Sequence, residues 1–154
     1  MGLIIRKYTD SDFFDICKLE NKIFKNDSYS VFFLRQAGEI LRDTFFVAQK
    51  NNELIGYALG ALDQGNPTKG WILSMGVTEE FRRKKIGEKL LDVLIKALKK
   101  KKVKEIFLSV SPENTQAISL YKKHGFQLIS ERKAYFGPNE DRYIMRKVID
   151  LKKV

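Results

Sequence analysis

Apolar residues in this chain recur with two spacings, one typical of strands and the other of helices. Short apolar runs bounded by turn residues predict strands, whereas apolar residues three and four positions apart predict helices. In the clearest helix, Ile86, Leu90 and Leu94 share one face, opposite charged residues. Asn51-Asn52 lies between two apolar runs and predicts a hairpin turn. The predicted strands are Leu3–Tyr8, Thr44–Gln49, Leu54–Leu62, Gly70–Val77, Val103–Val110, Gln127–Ala134 and Arg142–Val148.

Polar residues and glycines mark the ends of four predicted helices. The clusters Thr9–Asp12 and Asn26–Ser28 precede the first two helices. Asn114 can cap the last helix, which ends at Gly125 with Phe126 just beyond it. The order β-α-α-β-β-β-α-β-α-β-β predicts an α/β sheet covered by helices, with at least one parallel crossover.

Length and composition fit one globular domain over residues 1–154. Of the residues, 44% are hydrophobic and 31% are charged, and no stretch approaches the roughly 20 apolar residues of a membrane span. The start of the chain lacks a signal-peptide pattern. Because Cys17 is the single cysteine, an intrachain disulfide is excluded. One cysteine and one histidine, His124, also argue against a zinc site. We therefore expect a cytoplasmic, metal-free protein, with Cys17 in the core and His124 at a helix surface.

The net charge of +10 favours binding of polyanions, which include nucleic acids and phosphate-bearing cofactors. Charge alone does not choose between them. The run Lys99–Lys102 has the composition of a nucleic-acid patch, but it also suits a solvated helix end whose cations oppose the helix dipole. We expect the solvated helix end.

A candidate anion-binding turn joins a strand to the strongest helix. The segment Val77–Gly87 contains four consecutive cations, Arg82–Lys85, directly before the helix. A helix N-terminus presents unpaired N–H groups and the positive end of the dipole, which suit a phosphate. The segment is neither a Walker P-loop nor a Rossmann fingerprint, because GxxxxGK and GxGxxG are absent.

Two motifs resemble the GCN5-related N-acetyltransferase (GNAT) family. Arg82-x-x-Lys85-x-Gly87 resembles its (Arg/Gln)-x-x-Gly-x-(Gly/Ala) motif. The segments 108–110 and 114–126 resemble its "L-x-V…N-x-x-A-I-x-L-Y-x-K-x-G-F" pattern, which is the more specific match. Arg132 and the residues from 135 to 145 resemble the ending of N-terminal protein acetyltransferases, among them the ribosomal-protein alanine enzymes and archaeal relatives.

The resemblance implies a single GNAT-like domain with a mixed, mostly antiparallel sheet of about seven strands and helices on both faces. It also implies acetyl-CoA as cosubstrate, with its pyrophosphate on main-chain amides of the turn. Lys85 stands where the family has its first glycine, and we expect the amide to remain usable if Lys85 adopts a negative φ. The implied cofactor residues are Met75, Gly76, Val77, Arg82, Arg83, Lys84, Lys85, Ile86, Gly87, Glu88, Asn114 and Tyr121.

Tyr121 stands at the position of the family's general acid, beside the coenzyme sulfur. A thioester that is attacked by an amine expels a thiolate, which a phenol can stabilise. From the pattern alone, Tyr121 reads as a core tyrosine on an apolar helix face, and the family match favours the acid instead. Asn114 can be a helix cap, a coenzyme contact or both.

The general base is less clearly marked. In the ribosomal-protein enzymes a glutamate precedes the valine of "L-x-V", and here Ser109 takes that place and can only order a water. The substitute carboxylates are Glu20, Asp27, Glu79 and Glu80. We favour Asp27, because the break between the first two helices borders the acceptor site in the family, although Asp27 also suits a helix start.

The lack of a strong base favours an α-amine as acceptor. Neutralising a lysine at pH 7 costs about 3 kcal/mol more than neutralising an α-amine. We expect Phe24, Tyr29, Tyr135 and Phe136 to contact the first residues of a protein or peptide N-terminus, although the last two also suit a cross-strand aromatic pair. A polyamine or lysine acceptor, a nucleic-acid-binding module and a coenzyme A sensor are the alternatives. A homodimer is compatible with the sequence, and neither a membrane nor a nucleic-acid partner is expected.

Overall fold

The computed structural model describes residues 2–150 and confirms the predicted order of seven strands and four helices. The strands are β1 Ile4–Lys7, β2 Phe45–Lys50, β3 Glu53–Leu62, β4 Lys69–Val77, β5 Glu105–Val110, β6 Gln127–Arg132 and β7 Arg142–Val148. The helices are α1 Phe13–Phe24, α2 Val31–Ile40, α3 Ile86–Lys100 and α4 Thr115–Lys123.

The seven strands form one mixed, mostly antiparallel sheet in the order β1-β2-β3-β4-β5-β7-β6. β4 and β5 are parallel, with Ile72 paired to Leu108, so the predicted parallel crossover is confirmed. β5 pairs with β7 in antiparallel register, which sets Ser109 opposite Ile144. This is the mixed sheet that the family resemblance implied.

The chain divides into two compact units, so the single domain expected over residues 1–154 stays a prediction. The described part of the first unit comprises residues 2–61 and 74–97, and that of the second comprises residues 62–73 and 98–150. Within the first unit the fully buried side chains include Ile16, Leu34, Phe45, Ile55, Tyr57, Leu90 and Leu94. Within the second they include Leu98, Val103, Ile106, Leu108 and Phe126.

The hairpin between β2 and β3 forms as its residues predict. Asn51 and Asn52 have φ of 52° and 65°, the left-handed region that a two-residue hairpin turn requires and that asparagine tolerates. The fourth helix also ends as predicted: Gly125 has φ of 91°, and the Phe126 amide donates to the Tyr121 carbonyl at 3.0 Å.

The last hairpin differs from the prediction at one end. β6 stops at Arg132 rather than Ala134, because Ala134 has φ of 51° and its amide donates to the Asp141 carboxylate at 2.8 Å. The residues that follow β6 are therefore in a turn. Among the described residues, no helix has the length and apolar character needed to cross a membrane.

Candidate active site

In the first unit, β4 leads through a short turn into α3. Thr78 is buried, and its amide donates to the Ile55 carbonyl on β3 at 2.8 Å, which holds the end of β4 against β3. A short 3₁₀ turn, Glu79–Phe81, follows, and α3 begins at Ile86. The predicted anion-binding segment therefore lies at the start of an α-helix of 15 residues.

The turn before α3 exposes main-chain amides. Within the described chain, the amides of Arg83, Lys84 and Lys85 donate no backbone hydrogen bond. Arg83 and Lys85 have φ of 64° and 63°, whereas Lys84 is not in the left-handed region. Successive N–H groups in a turn of this kind can point into one concave site, an arrangement that binds anions.

The expectation of a negative φ at Lys85 is therefore wrong. The chain must turn sharply between the 3₁₀ turn and α3, and the left-handed conformation at Lys85 makes this turn. Glycine adopts that conformation without steric cost, which explains the glycine of the family motif. A lysine there keeps the amide in place but bears a conformational cost of about 1 kcal/mol.

The cationic side chains of this turn are available to an anion. Arg82, Arg83, Lys84 and Lys85 are all exposed. Arg82 Nε donates to the Val77 carbonyl at 3.1 Å, which fixes that guanidinium near the end of β4. The turn therefore combines free amides, a helix start and positive charge.

The end of α1 lies against β4. A Cβ at Gly76 would lie 2.9 Å from Ile23 Cγ2 and 3.1 Å from Phe24 Cζ, so only glycine allows this approach. Phe24, a predicted acceptor contact, is thus adjacent to Gly76, a predicted cofactor contact. Tyr29 is 37% exposed and stacks on Phe33 with ring centroids 4.4 Å apart. Asp27 is exposed in a 3₁₀ turn after α1, and its role as base stays a prediction.

A buried polar cluster connects α1, β3 and β4. Glu20 and Tyr57 are only 1% and 0% exposed. The Tyr57 hydroxyl forms a short hydrogen bond to Glu20 Oε1 and lies 2.6 Å from Ser74 Oγ. The Tyr29 amide donates to Glu20 Oε2 at 2.7 Å. Burial raises the pKa of Glu20 above its usual range, although the hydrogen bonds from Tyr57 and Tyr29 oppose the shift.

The other carboxylates near the turn are solvated. Glu79 and Glu80 are exposed, and Glu80 pairs with Lys22 at 3.1 Å. A hydrogen bond from its own amide, assisted by Lys22, lowers the pKa of Glu80. A solvated carboxylate with a lowered pKa is a weak base, so Glu20 is the unusual member of the predicted set.

In the second unit, Tyr121 projects from α4 into a largely apolar setting. Its side chain is 7% exposed, and its ring meets Phe126 edge to face with centroids 5.6 Å apart. Burial raises the pKa of Tyr121 to about 12. The phenol therefore remains protonated at neutral pH.

Asn114 and Ser109 occupy the expected elements. Asn114 Oδ1 accepts a hydrogen bond from the Ala117 amide at 3.1 Å, so its predicted role as helix cap is confirmed. Its contact with a coenzyme stays a prediction. Ser109 is half-buried on β5, opposite Ile144 of β7.

Tyr135 and Phe136 lie in the turn between β6 and β7. They are 39% and 64% exposed, and their rings meet edge to face. The alternative of a cross-strand pair is wrong, because the two residues are consecutive and lie outside both strands. The Arg142 guanidinium lies 5.0 Å from the centroid of Phe136, and Asp141 fixes the start of the turn through the Ala134 amide.

The remaining candidates take structural positions. Cys17 is half-buried, and burial raises the pKa of its thiol, which opposes a nucleophilic role. His124 lies at the end of α4, with Nδ1 3.0 Å from the Leu120 carbonyl. Lys99–Lys102 form the exposed end of α3 and the turn after it. Across residues 2–150, no group of three or more His, Cys, Asp or Glu side chains is arranged to hold a metal ion.

Sequence reasoning missed Tyr57 and Ser74. Both lie in apolar strands, where a tyrosine and a serine carry no motif, and they meet Glu20 only through the pairing of distant segments. Glu20 was one of four candidate carboxylates, and only its burial distinguishes it.

Comparison with known proteins identifies the family. The model of the acetyltransferase (GNAT) family matches residues 10–126. An N-alpha-acetyltransferase of Sulfurisphaera tokodaii is 33% identical over 90% of this chain and 87% of its own.

Two solved structures share the fold at 25% identity, and both cover 97% of this chain. Naa20 of Chaetomium thermophilum, in complex with a bisubstrate analogue, has a TM-score of 0.81 over 88% of its length. The PaiA N-acetyltransferase of Thermoplasma acidophilum, in complex with coenzyme A, has a TM-score of 0.76 over its whole length.

Proposed function

We propose that this chain, which belongs to the acetyltransferase (GNAT) family and is an N-acetyltransferase, acetylates the N-terminal α-amine of proteins with acetyl-CoA. The turn of Arg83–Lys85 carries the proposal. Its unbonded amides, its alternating backbone and the start of α3 suit the diphosphate of coenzyme A. The coenzyme A complex of the related PaiA protein supports the same cosubstrate.

The residues of the first unit divide between the two substrates. Amides and cations of the segment from Arg82 to Glu88 bind the diphosphate, and Met75, Gly76 and Val77 lie beside the pantetheine arm. Phe24 and Tyr29 contact the acceptor, and the closeness of Phe24 to Gly76 on β4 supports this role. Asn114 is a further proposed contact of the coenzyme.

Acetyl-CoA supplies a thioester whose cleavage releases a thiol. Tyr121 holds a proton at its phenolic oxygen for the sulfur, and its burial supports this role because it keeps the phenol protonated. Ser109 orders a water near the acceptor nitrogen. Asp27 remains the proposed base among exposed carboxylates. Tyr135 and Phe136 hold the first residues of the acceptor peptide, and their exposure supports contact with a ligand.

The acidity of the α-ammonium group and the similarity to known proteins both support an N-terminal acceptor. The α-amine loses its proton more readily than lysine, which suits a site without an exposed strong base. The Sulfurisphaera tokodaii relative is named for transfer to α-amines, and the Naa20 structure contains a bisubstrate analogue.

Turnover on three acceptors tests the proposal. With acetyl-CoA, we expect kcat/KM for a peptide with a free N-terminus to exceed that for an N-blocked lysine peptide or spermidine by at least tenfold. Faster turnover of spermidine or of the lysine peptide would contradict the N-terminal acceptor and favour the corresponding alternative.

A further inference from the structure

Three side chains of the first unit, which the mechanism above does not use, form a continuous hydrogen-bonded chain. We propose that Ser74, Tyr57 and Glu20 are a proton relay that removes a proton from the acceptor ammonium, in place of the exposed carboxylate of Asp27. Ser74 is half-buried on β4, whereas Tyr57 and Glu20 are inaccessible to solvent, so the relay has one open end. The inference rests on the proposed function, since Ser74 directly precedes the strand segment assigned to acetyl-CoA.

The hydrogen bonds can reverse their direction along the chain. Tyr57 carries one hydroxyl proton, so when it donates to Glu20 the Ser74 hydroxyl donates to Tyr57. When Glu20 is protonated it can donate to Tyr57, which then donates to Ser74. In both arrangements each of the three side chains has a hydrogen-bond partner. The two arrangements differ by one proton on Glu20.

The surroundings of Glu20 suit a proton acceptor. Among the described residues it forms no ion pair; its neighbours are the phenol of Tyr57, the amide of Tyr29 and the thiol of Cys17, and the phenol of Tyr29 lies near Tyr57. Burial without a cation raises the pKa of Glu20. The carboxylate is therefore a stronger base than Glu80 on the surface, whose pKa is lowered.

The proton balance is complete within the site. The acceptor ammonium gives one proton to Ser74 Oγ, Ser74 gives its proton to Tyr57, and Tyr57 gives its proton to Glu20. The nitrogen keeps the electron pair with which it bonds to the acetyl carbon as the carbon–sulfur bond breaks. Tyr121 gives its phenolic proton to the departing sulfur, and the second nitrogen proton then restores the phenol. Glu20 returns its proton through the same chain after product release.

A purely structural role for Glu20 makes a different prediction. Glu20 also holds the segment after α1, since it accepts from the Tyr29 amide, and the Ser28 hydroxyl donates to its carbonyl. Glu20→Gln keeps an acceptor for that amide and a partner for Tyr57, but it cannot take up a proton. Loss of structure would lower activity equally at every pH, whereas loss of the relay would not.

The test is the pH dependence of kcat/KM on an N-terminal peptide, measured for the wild type, Glu20→Gln and Tyr57→Phe. At pH 7 we expect the kcat/KM of each variant to lie about 10²-fold below that of the wild type. Near pH 9.5 the loss should shrink below tenfold, because an α-amine with a pKa of about 8 is then deprotonated by solvent. Glu39→Gln, an exposed change of the same type on α2, should follow the wild type.

The possible outcomes separate the relay from the proposed function. A wild type that acetylates no N-terminal peptide would overturn both. An active wild type with a Glu20→Gln profile that is unchanged, or lowered equally at all pH values, would overturn the relay alone. If the loss of kcat/KM at pH 7 that shrinks near pH 9.5 occurs in Asp27→Asn and not in Glu20→Gln, the base is Asp27 and the relay is overturned. If Glu20→Gln does not fold, the pH profile of Tyr57→Phe tests the relay, because this variant keeps the hydrogen bond from the Tyr29 amide to Glu20.

Discussion

Lys85 departs from the family motif at a conformational cost. Its φ of 63° lies where the family motif has glycine, and a side chain there is strained. The amide, which is the group proposed to bind phosphate, does not depend on the side chain. The substitution therefore affects the stability of the turn more than its chemistry.

Lys85→Gly should relieve this strain and stabilise the protein by about 1 kcal/mol. Lys84→Gly removes the same charge from a neighbour without left-handed φ, so it should destabilise by about 0.5 kcal/mol through the added freedom of the unfolded chain. Urea unfolding of both variants measures the difference. Equal effects of the two glycines would show that Lys85 is not strained.

Tyr121 permits a second test at the level of one side chain. Tyr121→Phe keeps the packing against Phe126 but removes the proposed acid, so kcat should fall about 10²-fold while the thermal midpoint stays close to that of the wild type. Because the pKa of Tyr121 is raised to about 12, the phenol should not produce an alkaline limb in wild-type activity below pH 10. An unchanged kcat in the variant would remove Tyr121 from the chemistry.

At the scale of elements, the contact between α1, β3 and β4 depends on a buried carboxyl group whose charged form is disfavoured. A raised pKa means that the folded protein binds the proton of Glu20 more tightly than the unfolded chain does. This tighter proton binding stabilises the folded protein fully below the ordinary glutamate pKa of 4.5. The stabilisation is lost as the pH rises through the raised pKa of Glu20.

Glu20→Gln should abolish this pH dependence. Relative to the wild type, the variant should gain stability between pH 5 and pH 8, because it has no carboxyl group to ionise in the interior. Urea unfolding at the two pH values measures the change. A wild type that gains stability over the variant as the pH rises would mean that the charged form is favoured at this site.

Elements defined by local signals were predictable from the sequence. Asn51-Asn52 and Gly125 are residues that tolerate left-handed backbone, and Asn114 can bond the next turn, so the hairpin and both ends of α4 followed from residue type. The end of β6 did not, because it depends on a hydrogen bond between Ala134 and Asp141, seven residues apart, which no local pattern marks.

At the scale of the whole molecule, the family and the proposed cofactor turn were predictable, whereas the buried cluster that holds the proposed base was not. The turn is one continuous segment, so its motif survives in sequence even with Lys85 in place of glycine. The cluster of Glu20, Tyr57 and Ser74 joins residues that are 37 and 17 positions apart. Only its burial distinguishes Glu20 from the other candidate carboxylates. Burial depends on how distant segments pack, so the local sequence does not show it.

We infer that this chain transfers the acetyl group of acetyl-CoA to an N-terminal α-amine. The most direct measurement uses one peptide that carries both a free N-terminus and an internal lysine, with the acetylated atom located by tandem mass spectrometry. We expect an acetyl group on the α-amine and an unmodified lysine. Acetyl on the lysine alone, or no acetylated peptide at all, would contradict it.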